Sequence, residues 1–241
     1  MKGIMMWGKR ISSILFVAIL FLGSSCAPVY VSNARQTNMM SEKGELHASA
    51  QAGTNGSDLQ LAYAVSDKFG LFGSGSFKSD KTSGNSDSDF HEHRYGELGA
   101  IYYRPFGNIG RFEALAGLGF GEAEAVDQYE IFGPQQVRAT GRYNKFFTQA
   151  NIGLETDPFE TGLALRMGQV TFNEFETSNN SLQETESGTF FEPAVFARLG
   201  WQNFKLESQL GIAGLLQDEV AFDYESLFFS VGLHLQLDTH K

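Results

Sequence analysis

The 241-residue sequence contains one cysteine, Cys26, and only five prolines. A single cysteine excludes an internal disulfide, and scarce proline favours long, uninterrupted β-strands. No apolar run after Cys26 is long enough for a membrane helix, so any membrane crossing would have to use strands. Basic residues are also few, 18 against 28 acidic ones, giving a net charge of −10. This argues against a nucleic-acid partner, which requires basic patches.

The N-terminus has the features of an export signal. The positive charges Lys2, Lys9 and Arg10 precede an apolar run over 11–22, and the small residues Gly23, Ser24 and Ser25 lead into Cys26. The run is too short for a comfortable membrane span. The arrangement resembles the lipobox of bacterial lipoproteins, although Gly23 occupies the position where that family most often has leucine. An ordinary signal peptide followed by a chance cysteine is the alternative.

The lipobox resemblance implies cleavage before Cys26 and a covalent diacylglycerol and N-acyl lipid on that residue. No other cofactor is expected. The predicted organisation is therefore a signal peptide over 1–25, a lipidated linker over 26–43 and a β-barrel domain over 44–241. Removal of residues 1–25 takes away three positive charges and no negative ones, which changes the net charge to −13.

From Gly44 onward, apolar and polar residues alternate, which predicts β-strands. Ten strands are expected, at 44–52, 57–65, 69–78, 93–104, 111–123, 142–155, 161–172, 189–200, 203–214 and 225–237. Most have the length that a tilted strand needs to cross a bilayer. The predicted fold class is all-β: an antiparallel, up-and-down transmembrane barrel.

The connections between these strands alternate in length after a first tight hairpin at 53–56. Long polar connections are predicted at 79–92, 124–141, 173–188 and 215–224. All short turns after that first hairpin then lie at one end of the barrel, and both termini are expected there. Short turns of outer-membrane barrels are periplasmic, which predicts a periplasmic N-terminus.

The two faces of the strands differ in polarity. One face is apolar and carries Leu59, Leu61, Leu98, Leu118, Phe146, Ile152, Leu165, Val195, Leu206 and Val231, among others. The other carries His47, Ser49, Gln51, Glu97, Glu113, Lys145, Gln149, Asn151, Arg166, Glu192, Arg198, Lys205, Glu207, Gln209 and His234. A Lys or Arg that faces lipid at mid-membrane costs about 2–4 kcal/mol, so the charged face should line the lumen. A water-soluble tethered barrel would instead place the apolar face inside.

Five of the inward charges lie on three neighbouring predicted strands. They are Arg166, Glu192, Arg198, Lys205 and Glu207. Opposite charges in a narrow lumen should pair, because an unpaired buried charge is costly. This lumen charge cluster is interpreted as a structural plug, with a pore lining, a ligand site or a catalytic site as alternatives.

The loop around 80–93 gathers Asp80, Asp87, Asp89, His91, Glu92 and His93, but the spacing matches no EF-hand or HExxH motif. No metal site is therefore predicted. GxSxG is also absent, so no enzyme is predicted and no catalytic residue is assigned. Omptin-type proteases are ten-stranded membrane barrels that use Asp and His at the rim, so His91 and His93 are the candidates if this expectation fails.

The predicted barrel resembles the broad class of small outer-membrane β-barrels of Bacteroidetes-type bacteria. The resemblance implies a lipid-anchored outer-membrane protein with a structural, adhesive or small-solute role. Expected partners are outer-membrane lipid and the barrel-assembly and lipoprotein-sorting machinery. The alternatives are a lipid-anchored soluble barrel that binds a ligand, in the periplasm or at the cell surface, and a rim protease or lipid-modifying enzyme.

Overall fold

The structure is a computed structural model that describes residues 28–81, 90–129, 135–177, 180–182, 185–201, 203–217 and 219–239. The predicted signal peptide and Cys26 lie outside these residues. These described residues contain fourteen strands: β1 Tyr30–Val31, β2 Glu45–Gly53, β3 Gly56–Ala64, β4 Phe69–Lys81, β5 Phe90–Phe106, β6 Gly110–Tyr129, β7 Gln135–Thr156, β8 Phe159–Thr177, β9 Asn180–Leu182, β10 Glu186–Trp201, β11 Phe204–Ile212, β12 Gly214–Leu215, β13 Tyr224–Glu225 and β14 Leu227–Asp238.

Ten of these strands close into an antiparallel barrel. β2 to β8 pair in chain order, β8 pairs with β10, β10 with β11, and β11 with β14. The barrel closes where β14 pairs with β2, with Asp238 opposite Glu45 and Ser230 opposite Gly53. The predicted ten-stranded up-and-down barrel is confirmed. The short strands β1 and β13 form a separate parallel pair.

The predicted strands are present but several are longer than expected. β6 continues to Tyr129, β7 begins at Gln135 and β8 continues to Thr177, so most of the predicted loop at 124–141 is strand. The reason is that the alternation persists beyond the apolar run while the polarity of its two faces reverses. Glu122 and Glu124 point outward there, and Ala123 and Ala125 are buried.

The barrel has a short-turn end and a long-loop end. The short-turn end holds the connections at 65–68, 107–109, 157–158 and 202–203, and the chain leaves there after β14. The Thr239 amide donates to the Gly44 carbonyl at this end. The tight 53–56 hairpin and the connection over 213–226 lie at the opposite, long-loop end.

The outside of the barrel carries an apolar belt. Leu59 is 66% exposed and Leu98 61%, while none of the fifteen polar residues predicted to face inward is exposed. Exposed aromatics border the belt near the short turns (Phe69, Phe106, Phe159, Trp201 and Phe204) and towards the long loops (Phe77, Phe120, Phe146, Phe191 and Phe229). The faces are therefore oriented as predicted, and the reverse arrangement expected of a water-soluble barrel is not what the structure shows.

Beyond the belt, the ends of β5 to β8 nearest the long loops extend further and are charged on the outside. This part, here called the collar, includes Arg94, Glu122, Arg142 and Glu174. On its outer surface Arg94 lies 3.9 Å from Glu122, and Arg142 lies 3.8 Å from Glu122 and 3.6 Å from Glu174. The ladder between β7 and β8 shifts register between Arg142 and Tyr143, close to the level at which the polarity reverses. This collar has the pattern of a water-facing sheet, unlike the belt beneath it.

No helix long and apolar enough to cross a membrane occurs in the described part of the chain.

The belt and the collar can be compared on a single strand. Ala150 and Thr140 both point outward on β7, the first within the belt and the second in the collar. We expect Ala150→Arg to destabilise the barrel in lipid vesicles by about 2–4 kcal/mol, because a cation would face hydrocarbon. Thr140→Arg should change stability by less than about 0.5 kcal/mol, because its side chain meets water. Urea titrations in vesicles measure both, and equal costs would contradict the assignment of the belt.

Candidate functional site: the barrel lumen

The lumen contains part of the protein's own N-terminal region. Residues 29–40, here called the lumen segment, are all buried. The segment was expected to be part of a linker over 26–43, and the structure places these residues inside the barrel. A segment surrounded on every side by the mixed polar and apolar wall of a barrel has no repeating pattern of exposure. Its sequence therefore resembles that of a solvated linker.

The lumen segment runs the full height of the barrel, starting at the long-loop end. Tyr30 and Val31 pair with Tyr224 and Glu225 of the 213–226 connection. The Asn55 side-chain amide, in the 53–56 hairpin, donates to the Ser32 carbonyl at 2.9 Å. The chain then leaves the lumen at the short-turn end, before β2. The prediction that both termini lie at the short-turn end is therefore wrong for the N-terminal side of the described chain.

An upper charge network joins the segment to the wall near the long-loop end. Glu192 accepts from the Tyr30 hydroxyl at 2.6 Å and from Lys145 Nζ at 2.7 Å. The Arg35 guanidinium lies 3.8 Å from the same carboxylate and donates to the Glu192 carbonyl. Arg166 pairs with Glu97 through two hydrogen bonds of 3.0 and 3.1 Å. Each of these buried charges is thus matched by an opposite charge.

A lower charge network lies towards the short turns. Arg198 contacts Glu160 at 2.6 Å and Glu207 at 2.9 Å, and it also donates to the carbonyl of Thr37. Lys205 contacts Glu160 at 2.9 Å. Because Thr37 belongs to the lumen segment, this network also holds the segment to three wall strands.

Side-chain amides and a carboxylate satisfy the segment's own backbone. Gln149 and Asn151 both donate to the Gln36 carbonyl, at 2.6 and 2.8 Å. Glu113 accepts from the Met40 amide at 3.1 Å. A buried backbone group without a partner costs free energy comparable to a lost hydrogen bond, so the polar wall is matched to this extended chain.

Two histidines continue the polar wall near the short turns. His47 Nδ1 lies 3.1 Å from His234 Nε2, and His47 Nε2 lies 3.2 Å from Glu45. Ser49 donates to Glu207 at 2.7 Å, which joins this group to the lower network. All of these groups are buried, so they form part of the packing between the wall and the segment.

The five residues predicted as the lumen charge cluster all lie buried in the lumen. They do not form one cluster, because Arg166 and Glu192 belong to the upper network and Arg198, Lys205 and Glu207 to the lower one. Residues outside the predicted cluster complete both networks: Tyr30, Arg35, Glu97, Lys145 and Glu160. Glu97 and Lys145 could have been included from their inward positions on the strands, whereas Tyr30 and Arg35 carried no such signal.

Glycines on β6 make room for the lumen contents. A Cβ at Gly119 would lie 2.0 Å from the Tyr95 hydroxyl, and one at Gly121 would lie 2.2 Å from the Tyr143 ring. One at Gly117 would lie 2.7 Å from the Phe147 ring. The repeated glycine therefore makes space for the large aromatic side chains of the lumen.

An aromatic layer closes the long-loop end of the lumen. Tyr30 packs against Tyr143 and Phe190, with ring centroids 5.7 and 4.7 Å apart. His93 is buried in the same layer, with Nε2 2.7 Å from the Tyr143 hydroxyl. Asp87 and Asp89 of the same acidic region lie outside the described residues. Among the described residues, no group of three or more His, Cys, Asp or Glu could hold a metal.

No protein-family model matches the sequence. No curated protein matches it either. Among solved structures, the chain is similar to a KdgM porin, with 12% sequence identity and a TM-score of 0.35 over 79% of this chain and 98% of that chain.

Arg198 and Arg142 provide a matched test of the lumen networks. Each contacts two glutamates, but Arg198 is buried and Arg142 is exposed on the collar. We expect Arg198→Met to destabilise the barrel by about 3–5 kcal/mol, because it removes the guanidinium that neutralises Glu207 and shares Glu160 with Lys205. Arg142→Met should cost about 1 kcal/mol or less. Urea unfolding followed by heat-modifiable gel mobility measures both. A small cost at Arg198 would show that water reaches the lumen.

Proposed function

We propose that this chain is an outer-membrane β-barrel lipoprotein with a closed lumen and a structural or adhesive role at the cell surface. The observation that carries this proposal is the occupied lumen inside an apolar belt. The belt suits a protein embedded in lipid, and the occupied lumen suits a platform rather than an open channel.

The dimensions of the belt support a membrane position. On β6, outward apolar residues run from Phe112 to Phe120, a stretch of nine residues. Tilted strands of about 9–11 residues cross a bilayer, and an apolar band of about 25 Å between aromatic girdles is typical of outer-membrane barrels. The buried charges of the lumen could not face hydrocarbon, which is a further reason to expect lipid outside and protein inside.

The lumen contents oppose free solute passage. Arg35, Lys145, Arg166 and Arg198 are all nearly or completely buried. Lys145 and Arg166 reach carboxylates on non-adjacent strands, and Arg35 and Arg198 join the lumen segment to the wall. An open pore would leave these groups in contact with water. Of the roles considered from the sequence, a structural or adhesive one therefore agrees with the lumen better than small-solute transport does.

The collar supports a surface role. It is an extension of four strands that stands beyond the belt, with a charged outer surface and a buried aromatic interior. Acidic and basic side chains alternate across its strands, so a protein or glycan partner would meet a preformed polar surface. Such a surface gives an adhesive role a physical basis.

The proposal includes a lipid on Cys26. It also includes the lipoprotein-sorting and barrel-assembly machinery as partners. Their support is the lipobox-like sequence before Cys26. Two acyl chains give stable membrane anchoring where one gives only reversible binding, so the modification would add a second attachment to that of the barrel.

The rim-protease alternative loses one of its two candidates. His93 lies inside the aromatic layer and is fully buried, so a substrate at the rim could not reach it. The non-enzymatic role is therefore retained.

Membrane integration can be separated from lipid anchoring. We expect the Cys26→Ala variant, with a cleavable signal peptide retained, to stay in the membrane pellet after carbonate extraction, because the belt holds it in lipid. Heat-modifiable gel mobility would show that the barrel has folded. Release of a folded variant into the supernatant would contradict the proposal and support a tethered soluble barrel.

Because the lumen is closed, we expect the barrel not to conduct ions. In planar bilayers we expect the intact chain to show no steady conductance, because the segment and two charge networks fill the lumen. Deletion of residues 28–40 should produce conductance in the fraction that still folds, as judged by heat-modifiable mobility. Steady conductance from the intact chain would contradict the closed lumen whether or not the deletion variant folds.

A further inference from the structure

The direction of the lumen segment constrains where the N-terminus of the mature chain can be. Pro28 is next to Val29, whose amide donates to the Asp223 carbonyl at 3.0 Å in the connection at the long-loop end. From there the chain descends to Ser41, whose amide donates to Glu45 at the start of β2. The N-terminal end of the segment is thus at the long-loop end and its C-terminal end is at the short-turn end.

The covalent chain limits how far Cys26 can be from the long-loop end of the lumen. Consecutive Cα atoms are about 3.8 Å apart, so Cys26 lies within about 8 Å of Pro28. The twelve residues of the lumen segment reach at most about 40 Å, comparable with the thickness of a bilayer. No slack remains for Cys26 to return to the short-turn end while the segment occupies the lumen.

The contacts of the segment make its removal from the lumen costly. Withdrawal would leave Glu192 without Arg35 and Tyr30, and Glu113 without the Met40 amide. Gln209 would also lose its contacts with the backbone of Arg35, at 2.9 and 3.0 Å. Unpaired buried polar groups each cost on the order of 1–3 kcal/mol, and charged ones more. A position outside the barrel for this segment therefore conflicts with the wall that surrounds it.

We propose that the chain is threaded through its own barrel, so that the mature N-terminus emerges at the cell surface and the lipid on Cys26 anchors in the outer leaflet. This inference rests on the proposed function, because it requires a lipidated barrel in the outer membrane. Short turns are periplasmic and long loops extracellular in such barrels. It replaces the periplasmic N-terminus predicted from the sequence.

Threading also determines the order of two assembly steps, entry of the segment into the lumen and closure of the barrel. A diacylated cysteine cannot pass through a lumen filled by Arg166, Lys145 and Arg198 once the barrel is closed. The segment must therefore occupy the lumen before the seam between β14 and β2 forms. The seam joins the first and last strands of the barrel, so it is the pairing that becomes available last during synthesis.

The test places one protease site at three positions in the full-length chain, expressed in a Gram-negative host and labelled with palmitate. The sites lie between Ala27 and Pro28, within residues 82–89 of the predicted long connection (the loop site), and at Asn108 in a short turn. Protease is then added to intact cells. We expect the first site to be cut as readily as the loop site, with the palmitate label separated from the membrane-embedded barrel. The Asn108 site should be cut only after the outer membrane is permeabilised.

The possible outcomes separate this inference from the proposed function. If the first site is protected while the loop site is cut, the barrel stands and threading to the surface is wrong. If Asn108 is the accessible site, the barrel has the opposite orientation and the outer-leaflet anchor is wrong. If no palmitate is incorporated, the lipid anchor is wrong. Absence of the protein from the outer-membrane fraction would contradict the proposed function itself.

Discussion

The neutralisation of charge inside the barrel is the constraint on which the rest of the structure depends. The wall places Glu192, Glu207 and Glu97 where water is excluded, and each must meet a cation or a donor nearby. Lys145, Arg198 and Arg166 supply part of what is needed from the wall itself. The lumen segment supplies the remainder through Tyr30, Arg35 and Thr37, and it gains partners for its own backbone in return. The wall and the segment are therefore complementary parts of a single interior.

The same strands also suit two different surroundings, an apolar one around the belt and a polar one around the collar. Within the belt, apolar side chains point out and polar ones point in, whereas in the collar the same alternation continues with the opposite sense. The strands therefore need no break to pass from one surrounding to the other. This continuity lets one sheet present an apolar outer surface over part of its height and a charged outer surface over the rest.

The sequence was informative wherever side chains alternate between two different surroundings. Residues such as Leu118 and Lys145 reveal their faces because each lies between residues of opposite polarity. The collar was predicted as loops because Glu122 and Glu124 end the apolar run, although the period of two continues past them. The lumen segment could not be found in this way, since Tyr30 and Arg35 are surrounded on all sides. The polar residues of the wall could be predicted from the sequence, but the segment that they bind could not.

Threading determines how the molecule would respond to mechanical load. A pull on the N-terminal end of the lumen segment acts along the barrel axis. The contacts of Tyr30, Arg35, Gln36, Thr37 and Met40 with the wall would then be loaded in parallel, rather than broken one after another as in a peeled hairpin. The barrel would therefore hold the lumen segment along its whole length. The first covalent continuation of that strand is β2, one side of the closing seam, so tension would be passed to the ring of paired strands as a whole.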